Sequence, residues 1–293
     1  MDTQRLELLL ELVKTGNFSL TAKRYFRTQP AVSIAVRKME EELGVRLVER
    51  GGRRVKLTPE GDLLKKQMAD ILRLVGDLKF QASVLGRRPK GRVKIATIHS
   101  VGLYELGDTI KLFIKKYRDI RLDLRYEQSR EIYDLVHEKE VDFGIVAYPV
   151  QTAAIEVLPM PPDEMVLISS HGPRFEHRAQ IALEELDGAD FAAFPENIPT
   201  RRAIDGILEK AGVRVEIRFE NENIETLKKA VEVGLGVSIV PRKAIEKDRE
   251  GRLFSVMKIK GQPLRRPIGI VKSRKTPLSK AADLFVKELR RVS

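Results

Sequence analysis

Cysteine and tryptophan are both missing from the 293 residues, and aromatic side chains make up only 6 %. Without thiols there can be no disulfide, no thiol nucleophile and no cysteine-ligated zinc finger. Histidine occurs four times, scattered along the chain, and neither a His-Glu-x-x-His metal motif nor a serine elbow is present. These gaps remove the common hydrolytic and metal-dependent chemistries, so no enzyme activity, no cofactor and no metal site is expected. Long apolar runs are lacking too. No stretch reaches the roughly 18 apolar residues that a membrane span needs, and no apolar leader follows the initial Met-Asp-Thr-Gln-Arg. The expectation is a soluble, cytoplasmic protein without a membrane partner.

What the chain has in excess is positive charge. Lys and Arg total 54 against 42 Asp and Glu, a formal net charge of +12. Residues 1–90 hold 19 basic and 11 acidic side chains, so 8 of the 12 net charges fall in the first third. That unevenness fits a DNA-binding head on a nearly balanced body, although RNA or an acidic membrane surface would attract the same charge. The length allows two or three compact units with their own cores.

The stretch from Phe18 to Glu60 organises the chain. Thr28 can cap a helix whose first turn holds Pro30, where a missing N–H costs nothing. Val32, Val36, Met39 and Leu43 recur at helical spacing and give it a buried face. The other face carries Gln29, Ser33, Arg37 and Lys38, with the small Ala35 between them. Amide, hydroxyl and cationic groups on one exposed face suit base edges and phosphates in a DNA major groove. A solvated face is the plain alternative for Arg37 and Lys38. Upstream, Ser19 can cap a short helix over Leu20–Phe26, with Ala22 and Phe26 pointing inward, and Arg27-Thr28-Gln29 makes the tight connection of a helix-turn-helix. A first helix carrying Leu6, Leu9, Leu10 and Val13 packs behind the pair. Downstream, Gly44 ends the helix, and Val45–Arg50 and Arg53–Leu57 flank a Gly51-Gly52 tip as a two-stranded wing.

The order Thr21-Ala22, Thr28-Gln29-Pro30-Ala31-Val32-Ser33, Leu43-Gly44-Val45-Arg46-Leu47-Val48-Glu49-Arg50 and Leu57-Thr58-Pro59-Glu60-Gly61 resembles the N-terminal domain of LysR-type transcriptional regulators. The pattern departs from that family at Thr21, where alanine is usual, at Ile34 and Ala35, usually polar or cationic, and at Val48, usually phenylalanine. The resemblance implies a double-stranded DNA operator read by Gln29, Pro30, Ser33, Ile34, Arg37 and Lys38. Gln29 and Ser33 carry the direct-readout chemistry, and Ile34 can meet only a thymine methyl or nothing. Arg50, Arg53 and Arg54 are expected on phosphates or in the minor groove.

From Pro59, capped by Thr58, one long helix is expected. Leu64, Met68, Ile71, Val75, Leu78, Ala82 and Leu85 repeat every three and four residues over three heptads, which reads as a dimer seam or as a stripe packed on the chain's own body. The resemblance implies an antiparallel pair of linker helices in a homo-oligomer, a dimer or a dimer of dimers. Gly86-Arg87-Arg88-Pro89-Lys90-Gly91 then forms a hinge. Its two glycines have phosphate-loop spacing, but Arg92-Val93 stands where Lys and Ser or Thr would be required.

Beyond residue 92, short apolar runs alternate with amphipathic segments. Strands are expected at Val93–Ile98, Leu122–Glu127 and Phe143–Ala147, with helices at Val101–Tyr117 and Glu131–Glu138, giving a parallel sheet with covered faces. A crossing at Pro159–Pro162 leads to a second lobe with strands at Met165–Ser169, Phe191–Phe194, Val215–Phe219, Val237–Val240 and Leu253–Lys258. The chain returns through Ile268–Val271 to a closing helix, Leu278–Arg291. Two lobes with two crossovers resemble periplasmic binding proteins of type 2 and the LysR effector domain, most specifically at Gly234-Leu235-Gly236-Val237-Ser238-Ile239-Val240-Pro241.

The predicted fold is therefore multidomain: an all-α winged helix-turn-helix (1–58), a linker helix (59–86), a hinge (87–91) and a two-lobed α/β effector-binding domain (92–293). Lobe I spans 92–161 and 267–293, and lobe II spans 162–266. Ligands of such clamshells gather where strand ends meet helix N-termini. Candidates for a small, anionic effector are Thr97, His99 and Ser100, the last also a plain helix cap, with Gln128, Ser129, Tyr148, Thr200, Arg201 and Val237. His99 reads equally as a rim residue, and Arg201 or Arg202 can instead pair with Asp205 or Glu209. Two rivals are an enzyme on the same two-lobed architecture, which would need converging acid, base or nucleophile groups, and a solute-binding protein, which would leave the basic head unexplained.

Overall fold

The computed structural model describes residues 2–49, 54–86, 89–170, 175, 178–246, 253–261 and 264–292. Three helices, α1 (Thr3–Thr15), α2 (Phe18–Arg24) and α3 (Gln29–Leu43), form the head. Each start is fixed by a side chain that satisfies an otherwise unpaired first-turn amide. Asp2 accepts from the Arg5 amide, Asn17 from Leu20 at 2.9 Å, and Thr28 from Ala31 at 3.4 Å. Asn17, not the expected Ser19, therefore caps α2. Leu6, Leu9, Leu12, Ala22, Val32, Val36 and Met39 close the core between them. Leu12 takes the central place expected of Val13, and Ala35 joins this core rather than lining the outer face. Phe26 is the larger correction. Because α2 ends at Arg24, Phe26 sits in the turn at φ +52° and is 97 % exposed, not directed inward.

The wing is reduced, among the described residues, to one antiparallel bridge between Val48 and Leu57, with the Glu49 amide donating to the Lys56 carbonyl at 2.9 Å. Buried Glu40 of α3 anchors its base, Oε1 accepting from the amides of Leu47 and Val48 at 2.9 and 3.2 Å. The wing tip, with Arg50 and Arg53, lies outside the described residues.

Helix α4 (Pro59–Leu85) starts at the expected Thr58 cap, which accepts from Gly61 at 3.0 Å. A Cβ at Gly61 would lie 2.2 Å from the Leu47 carbonyl, so only glycine lets α4 leave the wing this closely. The expected single seam divides. Leu64, Met68 and Leu72 turn into the head core and Phe80 into the next domain, whereas Ile71, Leu74, Leu78 and Leu85 stay exposed. One helix has to satisfy two cores of its own chain, which rotates the free row away from Leu64 and Met68.

Lobe I contains β1 (Gly91–Thr97), α5 (His99–Tyr104), α6 (Gly107–Lys116), β2 (Ile120–Tyr126), α7 (Ser129–His137) and β3 (Phe143–Ala147). The single helix expected over 101–117 is broken in two around Glu105 and Leu106. Strand β4 (Ile155–Ser169) then runs unbroken from lobe I into lobe II, where the sequence suggested an interruption at the prolines. Lobe II holds β5 (Gln180–Ile181), a 3-10 turn (Leu183–Leu186), β6 (Asp190–Ala193), α8 (Pro199–Lys210), β7 (Glu216–Glu220), α9 (Ile224–Glu232), β8 (Ser238–Pro241), α10 (Lys243–Glu246) and β9 (Ser255–Ile259). The return strand β10 (Arg265–Ser273) and α11 (Lys280–Val292) complete lobe I.

The lobe I sheet runs β2-β1-β3-β10-β4, with β1, β2 and β3 parallel and β10 antiparallel to both neighbours. The β4–β10 register shifts between Arg266 and Ile268, opposite Pro161 and Pro162, which have no N–H for the ladder. Each lobe has its own core, around Phe113, Phe143 and Phe285 in lobe I and around Leu167, Phe191, Leu227 and Met257 in lobe II. Among the described residues no helix is long and apolar enough to cross a membrane.

Candidate recognition face and interlobe cleft

On α3 the buried residues Val32, Val36 and Met39 fix which side turns outward. Gln29, Pro30, Ile34, Arg37 and Lys38 are exposed and Ser33 is half-buried. None of the side chains of Gln29, Ser33, Arg37 and Lys38 has a hydrogen-bond or ion-pair partner among the described residues. An amide, a hydroxyl and two cations thus stand free along one helix. Their donors and acceptors are open to a base edge or phosphate. Arg54, at the wing base, is exposed as well, while Arg50 and Arg53 fall outside the described residues.

Where the two lobes meet there is a cavity of about 220 Å³, framed by the start of α5, the start of α7 and the start of α8. Of the nine residues expected there, His99, Ser100, Gln128, Ser129 and Thr200 line it. The other four do not. Thr97 is fully buried, its hydroxyl on the Ile98 carbonyl. Tyr148, at φ +50°, packs on the lobe I core, and burial pushes its phenol pKa up. Arg201 is locked away from the cleft by Asp205 at 2.8 Å, Glu220 at 2.6 Å and the Phe194 carbonyl at 2.7 Å. Val237 is a sheet residue whose amide donates to the Asp190 carbonyl. It follows Gly236, at φ +142°, where a Cβ would lie 2.5 Å from that same carbonyl. The glycine-rich motif around it therefore serves backbone approach.

Ser100 is not the cap of α5. The N-cap is Ile98, and Ser100 lies inside the first turn, its hydroxyl accepting from Arg266 Nη1 at 3.2 Å. Arg266 is the main residue that sequence reasoning missed. It is 2 % exposed, lines the cavity from the return crossover, and donates through Nε to Asp163 Oδ2 at 2.9 Å and through Nη2 to the same oxygen. The available signal was the placement of Asp163 after Pro161-Pro162 and of Arg266 before Pro267, one charge of each sign on the two crossover strands. Beside them Glu105 is pushed up to about 7 by burial and by its hydrogen bond with Asp163, with Lys243 opposing the shift. Lys243 reaches Glu105 from lobe II at 2.6 Å. Gln128 bonds Glu222 at 3.0 Å, and Tyr104 bonds Glu225, so three side-chain contacts tie the lobes across the opening.

A second, larger cavity of about 740 Å³ separates α1 and α4 from lobe I. Across it Lys65 pairs with Glu138 at 3.0 Å, Lys14 with Glu140 at 3.4 Å, and Lys139 with Asp70. The head and the linker helix thus rest on lobe I through ion pairs.

Residues 3–62 match the model of the bacterial regulatory helix-turn-helix proteins of the lysR family, and residues 86–293 match the LysR substrate binding domain. A relative from Chlorokybus atmophyticus, named "Probable RuBisCO transcriptional regulator", is 32 % identical over 291 residues, covering 97 % of this chain and 93 % of its own length. A full-length OxyR variant from Pseudomonas aeruginosa superposes with a TM-score of 0.77 at 22 % identity, over 99 % of this chain and 95 % of that one. The regulatory domain of CcmR from Synechocystis PCC6803, in complex with 2-PG, has a TM-score of 0.63 at 21 % identity and covers 69 % of this chain and 96 % of its own.

Proposed function

Because the chain belongs to the LysR family of transcriptional regulators, we propose that it reads a dyad-symmetric DNA operator with α3 and the wing, and that a small metabolite with an anionic group, held between the lobes, controls that reading. Members of the family are regulators and not enzymes, so the cleft binds without catalysing. Residues 1–58 act as the DNA-binding unit, 59–86 as the linker, 87–91 as the hinge and 92–293 as the effector domain, with lobe I at 92–161 and 267–293 and lobe II at 162–266. Its place of work is the cytoplasm, with the DNA it binds.

The observation that carries this reading is the unpartnered row Gln29, Ser33, Arg37 and Lys38 on a helix capped at Thr28 and buried on its other side. Gln29 and Ser33 discriminate bases, while Arg37, Lys38 and Arg54 supply phosphate affinity. The exposed row Ile71, Leu74, Leu78 and Leu85 is the surface on which a second α4 packs, each side chain contributing about 1.5–3 kcal/mol when covered. Two heads then face successive half-sites.

Selection of duplexes from a random library by the full chain should yield a dyad. With the selected site, Gln29→Ala should lose specific binding by roughly 5- to 150-fold, corresponding to about 1–3 kcal/mol for a bidentate base contact, with random DNA almost unaffected. Arg54→Ala should weaken both kinds of DNA alike. Equal losses for Gln29→Ala on both would refute its role as a base reader.

A further inference from the structure

Arg266 is the only Arg or Lys among the residues that line the interlobe cavity, and at 2 % exposure it is cut off from bulk water. A guanidinium has five N–H groups. Three of them are used: Nε and Nη2 donate to Asp163 Oδ2, and Nη1 donates to Ser100 Oγ at 3.2 Å. The other two have no acceptor among the described residues. A buried guanidinium that keeps unpaired N–H groups beside a cavity is a seat for an anion.

The charges behind Arg266 balance only while no anion sits there. Glu105, in the break between α5 and α6, has a side chain 9 % exposed, hydrogen-bonds Asp163 and accepts from Lys243 of lobe II at 2.6 Å. The order from the cavity to lobe II is thus Ser100, Arg266, Asp163, Glu105 and Lys243, with two carboxyl groups between two cations. Tyr148 of lobe I faces Arg266 and Asp163, and Glu246 of α10 faces Lys243 from the surface. Arg242, also beside α10, is held by Glu164 at 3.2 Å. An anion on Arg266 sets three negative groups against two cations in a buried cluster, where uncompensated charge is costly. One proton from solvent restores the balance. Glu105 is prepared to take it, because two carboxyl groups in hydrogen-bond contact resist ionising together, and burial with the Asp163 contact already holds its pKa at about 7.

Resting on the effector reading above, we infer that Arg266 binds the anionic group of the effector, and that the effector enters together with a proton, taken from solvent by the Glu105–Asp163 pair. The cleft then reads effector concentration and pH together, with affinity rising as pH falls. The same proton removes the charge on which Lys243 of lobe II rests, so binding is felt at a contact between the lobes.

Sulfate is the probe, since it remains a dianion throughout the range, titrated by calorimetry into the full chain at constant ionic strength. It should bind about five- to tenfold more tightly at pH 6 than at pH 8, the linkage expected when binding raises a pKa of about 7 by roughly 1–1.5. At pH 7.5 about half a proton should enter with each sulfate, read from the dependence of the binding enthalpy on the buffer's ionisation enthalpy. Glu105→Gln, neutral at every pH, should bind sulfate about fivefold more tightly than the wild type at pH 8 and take up no proton, a gain that damage to the fold does not produce. Arg266→Lys keeps a charge beside Asp163 but lacks the spare N–H groups, and should weaken sulfate by roughly tenfold or more. Binding that Thr200→Ala weakens and Arg266→Lys does not, binding that fails to tighten as pH falls, or a pH dependence that survives Glu105→Gln and is lost in His99→Gln or Glu127→Gln, overturns the inference while leaving the cleft as the effector site. Sulfate binding that neither Arg266→Lys nor Thr200→Ala changes, or no saturable binding, removes the anion from the cleft and overturns the effector reading as well.

Discussion

The recognition face and the interlobe cleft are built in opposite ways. The face comes from fifteen consecutive residues of α3, whose 3.6-residue period assigns each side chain to the core or to the outside. The cleft draws on residues 98–100, 126–129, 131, 147, 194, 198–200, 222 and 266, brought together by two crossover strands. Its polar groups hold one another in place across the lobes, whereas those of the face stand free. A substitution in the cleft should therefore spread through the domain, and one on the face should stay where it is made.

Asp163→Ala tests the first half of that contrast with the largest expected effect. It leaves Arg266, 2 % exposed, without its counter-charge and removes the acceptor of two of its bonds. An uncompensated buried charge costs about 3–5 kcal/mol, and because Arg266 also holds Ser100, effector binding should fall with stability. Urea denaturation and effector titration measure both. A variant losing less than about 1 kcal/mol would show that the crossover pair is dispensable and that the cleft is no more interdependent than the face.

The same contrast decides what could be read from the sequence. The head was legible because helix caps and apolar spacing act within a few residues: Thr28, Pro30, Gly44, Thr58 and Pro59 all take the expected local roles. It failed at Phe26, where the end of α2 at Arg24 was misplaced by two residues and reversed the side chain's environment. The stripe on α4 divides for a tertiary reason, since its period is real but Leu64 and Met68 are claimed by the head and Phe80 by lobe I. In the cleft, Ser100, Gln128, Ser129 and Thr200 could be placed because each caps a helix that follows a strand or lies in its first turn. Arg201 could not. Its second partner, Glu220, lies on β7, 19 residues away, and nothing local points to it. Arg266 and Asp163 were missed because 103 residues separate them, and only their places beside the crossover prolines hinted at a pair.

A smaller effect, and one confined to the cleft, follows from Glu105. Its pKa in the folded chain is about 7, raised from 4.5 by burial and by the neighbouring Asp163 carboxylate. Between those values the folded state holds a proton that the unfolded state has released, so this group makes stability fall as pH rises from about 4.5 to 7. Glu105→Gln keeps a neutral group of the same shape and should flatten that part of the profile. Thermal unfolding of both proteins from pH 4.5 to 8, compared as a difference, isolates the group from the four histidines. Parallel curves would show that Glu105 titrates normally and that the interlobe contact through Lys243 is not coupled to protons. The head, which has no such buried like-charge pair among its described residues, should contribute nothing to the difference.

Thr28→Ala carries the smallest expected effect and tests the other half of the contrast. The Thr28 hydroxyl accepts from the Ala31 amide at 3.4 Å in an exposed position. Loss of an N-cap costs about 0.5–2 kcal/mol, and a long, solvated bond belongs at the lower end. The buried face of α3, held by Val32, Val36 and Met39, is untouched, so the helix remains and only its first turn loosens. That turn carries Gln29 and Pro30, and Ser33 follows one turn on. Operator affinity should therefore drop by a few fold, with the loss greater on the selected site than on random DNA, because positioning of Gln29 is what suffers. Effector affinity should not change, since the ion pairs to lobe I come from Lys14 of α1 and Lys65 and Asp70 of α4 and not from α3. A change in effector affinity would mean that the first turn of α3 is coupled to the cleft through the head's contacts with lobe I, and the face would then no longer be a local device.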